Sequence, residues 1–271
     1  PRITHYITFP LKRKKKLSTY WKIVRELRKE NGELGVIFVN TFISALLFRL
    51  GNVKKNIGYN REGRGFLLDF SPEINYHKHY INRYAFLFNE YIGNKYVYLP
   101  ELSLRYTGQK TFQFDNSHKT IALYLGGENK EFRKYPDEYA VQLLRLLNRQ
   151  GYNLLLIGDE NDNIKHTQYA EEARIDHLIN LTARTTIEGF INTIANVDLI
   201  ITIDSSALHI AAAVKTPFIA LMGLSTSPTS TILPKVPLGR ILKIENNLIR
   251  EEDYIRNITP DLILKTISEL I

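Results

Sequence analysis

The sequence predicts an α/β protein of two domains, each built on a parallel sheet covered by helices, and three observations carry that expectation. Short apolar runs alternate with helical patterns through the second half of the chain, and a sparser version of the same alternation fills the first half. Between them VYLPELSLRYTGQKTF (97–112) has turn and strand character and no long helix, which marks a linker. At 271 residues the chain is long enough for two cores. The expected domains are 1–112 and 113–257, with a closing helix over 258–271.

In chain order the first domain reads as strand ITHYITF (3–9), a helix over about 18–31, strand GVIFV (35–39), a helix near 41–50, the arginine- and glycine-bearing GYNREGRGFLLDF (58–70), and an aromatic-rich helix over 76–92. The second domain is more legible. TIALYL (120–125), NLLLIG (153–158), HLINL (177–181), DLIITI (198–203), PFIALM (217–222) and RILKI (240–244) are apolar and bounded by turn signals, as buried strands are. PDEYAVQLLRLLNRQ (136–150) opens with proline and two acids, carries Ala140, Leu143, Leu144 and Leu147 on one face and stops at Gly151. TTIEGFINTIAN (185–196) starts with Thr185 and Glu188 at capping-box spacing, and SSALHIAAAV follows DLIITI as a further helix. Alternating strands and helices imply right-handed crossovers and Rossmann-like sheets whose ligands sit beyond the carboxyl ends of the strands.

Composition narrows the function classes. No cysteine is present, which removes disulfides, thiolate metal sites and cysteine nucleophiles and is compatible with a cytoplasmic location. No apolar run reaches the roughly 20 residues that span a bilayer. The formal net charge of +8 suits anionic partners. Part of it is concentrated in PLKRKKKLSTYWK (10–22), where Lys12 to Lys16 and Lys22 lie beside Leu11, Leu17, Tyr20 and Trp21; this pattern suits a membrane surface, and equally a solvated helix start. Nucleic acid is not expected, because the basic residues form no recognisable binding module.

The features with chemical character follow strand ends. After DLIITI come Asp204, Ser205 and Ser206, with Asp204 the expected N-cap and the serines in the first turn, where free N–H groups and the helix dipole favour an anion. An Asp-Ser cap is also an ordinary structural device. His209 lies one turn on, placed either to reach the same ligand or to bond a neighbouring loop. After TIALYL the loop LGGENKEFRKYP (125–136) combines Gly126 and Gly127 with Lys130, Arg133 and Lys134, letting backbone and cations approach a diphosphate. IGDENDN (157–163) places Asp159, Glu160 and Asp162 where they meet ribose hydroxyls or simply start a helix. GLSTSPTSTILP (223–234) is a hydroxyl-rich loop that closes over a ligand or stays solvated.

Taken together these residues resemble glycosyltransferase family 9, the bacterial ADP-heptose:lipopolysaccharide heptosyltransferases. Arg133-Lys134-Tyr135-Pro136 resembles the family's K-x-W-P element, and Thr185-Thr186-Ile187-Glu188 its T-S-L-x-E-like segment. Asp204-Ser205-Ser206-Ala207-Leu208-His209, followed by Ala212, Ala213, Pro217 and Gly223, resembles its D-[ST]-G-x-x-H signature. GYNREGRGFLLD (58–69) is similar to an N-terminal family segment, and ITPDLILKTI (258–267) to the closing helix.

The resemblance implies a GT-B fold, two Rossmann-like parallel-sheet domains facing a cleft, here with an incomplete N-terminal domain. It implies inverting transfer of heptose or a related sugar from an ADP-sugar to a lipid-linked, lipopolysaccharide-core or other anionic glycan acceptor. The implied donor-binding set is Asp204, Ser205, Ser206, His209, Arg133, Lys134, Gly127, Asn129, Asp162, Thr185, Thr186 and Gly223, with Arg61 and Arg64 serving the acceptor. No metal or other cofactor is implied, because cations and a helix dipole stabilise the leaving diphosphate. The implied location is cytoplasmic, peripheral at the inner face of the inner membrane. The family's acidic general base lies in an N-terminal strand, glycine loop and helix that this chain is expected to begin after, so no catalytic base is named. A glycine of the signature is Ser206 here, and Arg133 and Tyr135 replace a lysine and a tryptophan. An inactive sugar-nucleotide binder and a GT-B-type UDP-sugar epimerase are the alternative readings.

Overall fold

The computed structural model describes residues 17–98, 101–114, 117–126, 132–223, 233–234, 236–244 and 250–271. The expected strand at 3–9, the first part of the basic run, Gly127, Asn129, Lys130 and most of the hydroxyl-rich loop lie outside them. The chain divides into two compact units, residues 1–100 and 101–271.

The first unit contains α1 (Leu17–Glu30), β1 (Leu34–Ile37), α2 (Phe42–Leu50), β2 (Lys55–Gly58) and α3 (Tyr80–Tyr91). β1 and β2 pair in parallel, with Ile37 opposite Gly58. Ile37, Ala45 of α2 and Leu67 form a small core between them. The helix expected over 76–92 starts only at Tyr80. Arg83 explains the late start: its guanidinium donates to the carbonyls of Tyr76 and Lys78 at 2.9 and 3.1 Å, which holds those residues in a turn. The His79 ring nitrogen then accepts the Ile81 N–H as a cap.

The second unit contains β3 (Thr120–Tyr124), α4 (Asp137–Arg149), β4 (Asn153–Leu156), α5 (Asn163–Ala173), β5 (Leu178–Asn180), α6 (Ile187–Ala195), β6 (Leu199–Ile203), α7 (Ser206–Val214), β7 (Phe218–Leu221), β8 (Gly239–Leu242) and α8 (Pro260–Ile267). Its strands form one parallel sheet in the order β5-β4-β3-β6-β7-β8, so every apolar run expected to be a strand is one. Side chains alternate between two cores. Ile121, Leu123, Leu199 and Ile201 pack with α4, α5 and α8 on one face, whereas Ala122, Tyr124, Ile200 and Ala220 pack with α6 and α7 on the other. The chain leaves β3 for the first face and leaves β6 for the second. Between these neighbouring strands lies the switch point, the place where doubly wound sheets bind ligands.

Two helices fix the geometry there. α4 buries Ala140, Val141, Leu143, Leu144 and Leu147, and each leucine removed from water contributes about 1.5–3 kcal/mol. α7 buries Ala207, Ala211, Ala212 and Ala213, whose small side chains let the helix lie close on the sheet. Residues 101–108 are pinned to the same unit: Leu104 N–H donates to Ala213 O at 3.1 Å, and Thr107 and Gly108 N–H donate to Asn192 Oδ1 at 3.1 and 3.2 Å.

Candidate functional site

Sheet register aligns the loops that carry the expected residues. Leu123 lies opposite Leu156, Tyr124 opposite Thr202 and Ile203 opposite Leu221. The chain therefore leaves β4, β3, β6 and β7 at neighbouring points along one edge, with Gly158, Gly126, Asp204 and Gly223 close to the exits.

At the start of α7 the cap is Ser205, one residue later than expected. Its backbone is extended at φ −151°, and its Oγ accepts the Ala207 N–H at 3.2 Å and lies 3.0 Å from Thr202 Oγ1. Capping engages the Ser205 hydroxyl, so Asp204 stands before the helix, half-buried, and Ser206 is its exposed first residue. No internal bond engages the Ser206 hydroxyl among the described residues. His209 is half-buried one turn further on.

The loop after β3 turns at Gly126, whose φ of +80° is readily available to glycine. Tyr135 anchors the far side: its N–H donates to Leu125 O at 3.0 Å and its buried hydroxyl to Ile258 O at 2.8 Å. Lys134 is committed to Asp137 at 2.7 Å. Asp137 also receives Lys165 at 3.1 Å and the Tyr169 hydroxyl; burial alone would raise its pKa, and these three donors hold it below the ordinary carboxylate value. Arg133 is half-buried and, among the described residues, has no hydrogen bond or ion pair. Of the two expected cations, it is the one with its donors available to a ligand.

After β4, Asp162 is fully buried and forms a reciprocal cap with Asp159, accepting the Asp159 N–H at 2.9 Å. The Tyr124 hydroxyl lies beside the two carboxylates, and burial, followed by those negative charges, pushes its pKa up. Next to them His166 is fully buried with Nδ1 2.7 Å from Thr182 Oγ1. The sequence reading did not include Tyr124 and His166. Their only signal was a polar tip at the end of an apolar strand and a histidine on the inward face of α5.

Thr186, and not Thr185, caps α6, accepting the Gly189 N–H at 3.0 Å. The hydroxyl of Thr185 is uncommitted among the described residues. A shallow cavity of about 450 Å³ opens beside this start, lined by Arg105, Tyr106, Thr107, Ile187, Glu188 and Ile191. At the end of β7, Gly223 lies against the Phe132 carbonyl.

In the first unit Arg61 is exposed and stacks 5.4 Å from the Tyr76 ring centroid. Arg64 is fully buried. It donates to Tyr59 O at 2.9 Å, Thr41 O at 3.2 Å, Ser44 Oγ and Asn40 Oδ1 at 3.0 Å, and Val39 O, fastening the loop after β1 to its own turn. Glu62 adds a bond from the Phe42 N–H at 2.9 Å. Among the described residues no cluster of three metal-ligating side chains occurs, and no helix is long and apolar enough to cross a membrane.

A parallel sheet with its ligand edge at the switch point, preceded by a second α/β unit, defines a GT-B protein. The solved structure of E. coli ADP-heptose LPS heptosyltransferase II matches it with a TM-score of 0.78 and 22% identity, covering 94% of this chain and 81% of that one. E. coli heptosyltransferase WaaC, solved with ADP-2-deoxy-2-fluoro heptose, matches with a TM-score of 0.70 and 15% identity, covering 94% and 78%. Lipooligosaccharide heptosyltransferase 2 of Haemophilus influenzae is 26% identical over 281 residues, 94% of this chain and 81% of its own length. The family model for glycosyltransferase family 9 (heptosyltransferase) matches residues 20–252. The chain belongs to that family, and it is a glycosyltransferase of the heptosyltransferase type.

Proposed function

We propose that this enzyme transfers heptose or a related sugar, with inversion at C1, from an ADP-sugar to a lipopolysaccharide-core or other anionic glycan acceptor. The row of strand-end loops supports this reading, because the loop that carries the uncommitted Arg133 and the open start of α7 follow the neighbouring strands β3 and β6. Helix N–H groups and a cation stabilise the negative charge that grows on a departing diphosphate. Ser206 adds a hydroxyl to that site, and Asp204, directly before the Ser205 cap, orients sugar hydroxyls. Thr185 and the loop held by Asp162 serve the nucleoside, Asp162 through the backbone it fixes. On the acceptor side the exposed Arg61 meets phosphates while Arg64 holds the loops that present it.

Residues 10–22 bring the enzyme to the inner face of the inner membrane. The exposure of Leu17 (76%) and Trp21 (58%) at the start of α1 supports this, since an indole and a basic run suit a bilayer interface. Calorimetry tests the donor assignment: Asp204→Ala should weaken ADP-heptose by about tenfold, the value of a hydrogen bond to a charged group, and ADP by less than threefold. Equal losses for both ligands would reject it.

A further inference from the structure

We infer that Gly223 is a positioning residue for Arg133: by carrying no side chain it seats the Phe132 backbone and so sets where the adjoining guanidinium can reach. This rests on the reading of Arg133 as the cation that meets the donor's diphosphate. A Cβ on Gly223 would stand 2.6 Å from the Phe132 carbonyl oxygen and 3.1 Å from Ile255 Cβ. Neither neighbour gives way cheaply. One is backbone, and the other belongs to a side chain only 3% exposed, packed in the core that includes Tyr135, α4 and α8. Gly223 is not among the residues with positive φ, so its backbone conformation is open to any residue. Space, and not backbone freedom, is what the position demands.

The other side of Arg133 is equally fixed. Tyr135 is tied through its N–H to Leu125 and through its hydroxyl to Ile258, and Lys134 is tied to Asp137. A methyl group at 223 therefore presses on the Phe132 backbone, and a displacement of Phe132 carries the adjoining Arg133 with it. Groups held ready for a ligand lose affinity when displaced by a fraction of an ångström, because the ordering then falls to the binding step.

A double-mutant cycle on the full chain, with ADP as the probe in calorimetry, tests the inference. Arg133→Ala should weaken ADP about 10- to 100-fold, the range for losing a charge-assisted hydrogen bond, and Gly223→Ala about fivefold or more. In the Arg133→Ala background, Gly223→Ala should change ADP affinity by less than about twofold, because its effect runs through the missing guanidinium. If Gly223→Ala gives no cooperative melt, Tyr135→Phe replaces it in the same cycle with the same expectation, since it loosens the same loop from its other end. Wild-type affinity in Gly223→Ala, or an equal loss in both backgrounds, overturns the inference alone. Unchanged affinity in Arg133→Ala overturns the reading of Arg133 and the inference with it.

Discussion

Adjacent side chains of like charge have different tasks when the fold has already engaged one of them. Lys134 neutralises Asp137, whereas Arg133 has no partner among the described residues. Lys134→Ala should therefore leave ADP affinity within about threefold of wild type in calorimetry, against the 10- to 100-fold loss for Arg133→Ala. An equal loss for both would show that the ion pair opens for the ligand. His166 offers a test of stability. Burial pushes its imidazole down to about 4, against a smaller upward pull from Asp159. Unfolded chains take up a proton near pH 6.5, and the folded protein resists it until about pH 4. The contribution of neutral His166 is thus fully present above pH 6.5 and is lost as pH falls through this window, by about 3 kcal/mol in all. Denaturant melts between pH 7 and 4 should show a steeper loss for wild type than for His166→Asn, whose amide can keep the bond to Thr182; parallel curves would contradict the assignment.

Among the elements, α4 carries much of the core that holds the switch point in shape. Leu144→Ala, at a fully buried site among Leu143, Leu147 and the sheet, should cost about 2–5 kcal/mol in a denaturant melt. A cost under 1 kcal/mol would mean that the site collapses around the cavity. α4 was readable in the sequence because proline, two acids, a leucine stripe and a closing glycine all agree. The strands of the second unit were readable for a similar reason: a strand buried on both faces is apolar throughout. Caps were less so. Asp204, Ser205 and Ser206 are three acceptors in a row, and only the extended backbone of Ser205 decides among them; the same one-residue ambiguity moved the α6 cap from Thr185 to Thr186. β2 was hidden because Lys55-Asn56-Ile57-Gly58 has a single branched residue and is defined by its pairing with β1. Whether a polar residue faces a ligand or the interior was equally unreadable. Arg64 and Asp162 look like contacts in the sequence and are buried supports in the fold: Arg64 bonds a loop more than twenty residues away, and Asp162 caps the turn that begins at Asp159.

For the whole molecule, the second unit holds a complete parallel sheet, both of its cores and every residue assigned to the donor. Expressed alone, residues 101–271 should melt cooperatively and bind ADP within about threefold of the full chain, as a domain with its own core does. A fragment that aggregates would show that the second unit needs residues 1–100 to fold, and one that melts cooperatively yet ignores ADP would place part of the donor site in residues 1–100. The row of strand exits also acts as a ruler. From β5, whose loop leads to Thr185, to β7, whose loop leads to Gly223, there are four inter-strand spacings, roughly 19 Å at the usual separation. The spacing of the strand exits is graduated by the sheet, and four divisions are long enough for a base, a diphosphate and a sugar laid end to end. With the donor laid along that row as proposed, AMP, ADP and an ADP-sugar should each add a step of affinity in calorimetry as they cover successive divisions of the same scale; equal affinities would contradict it.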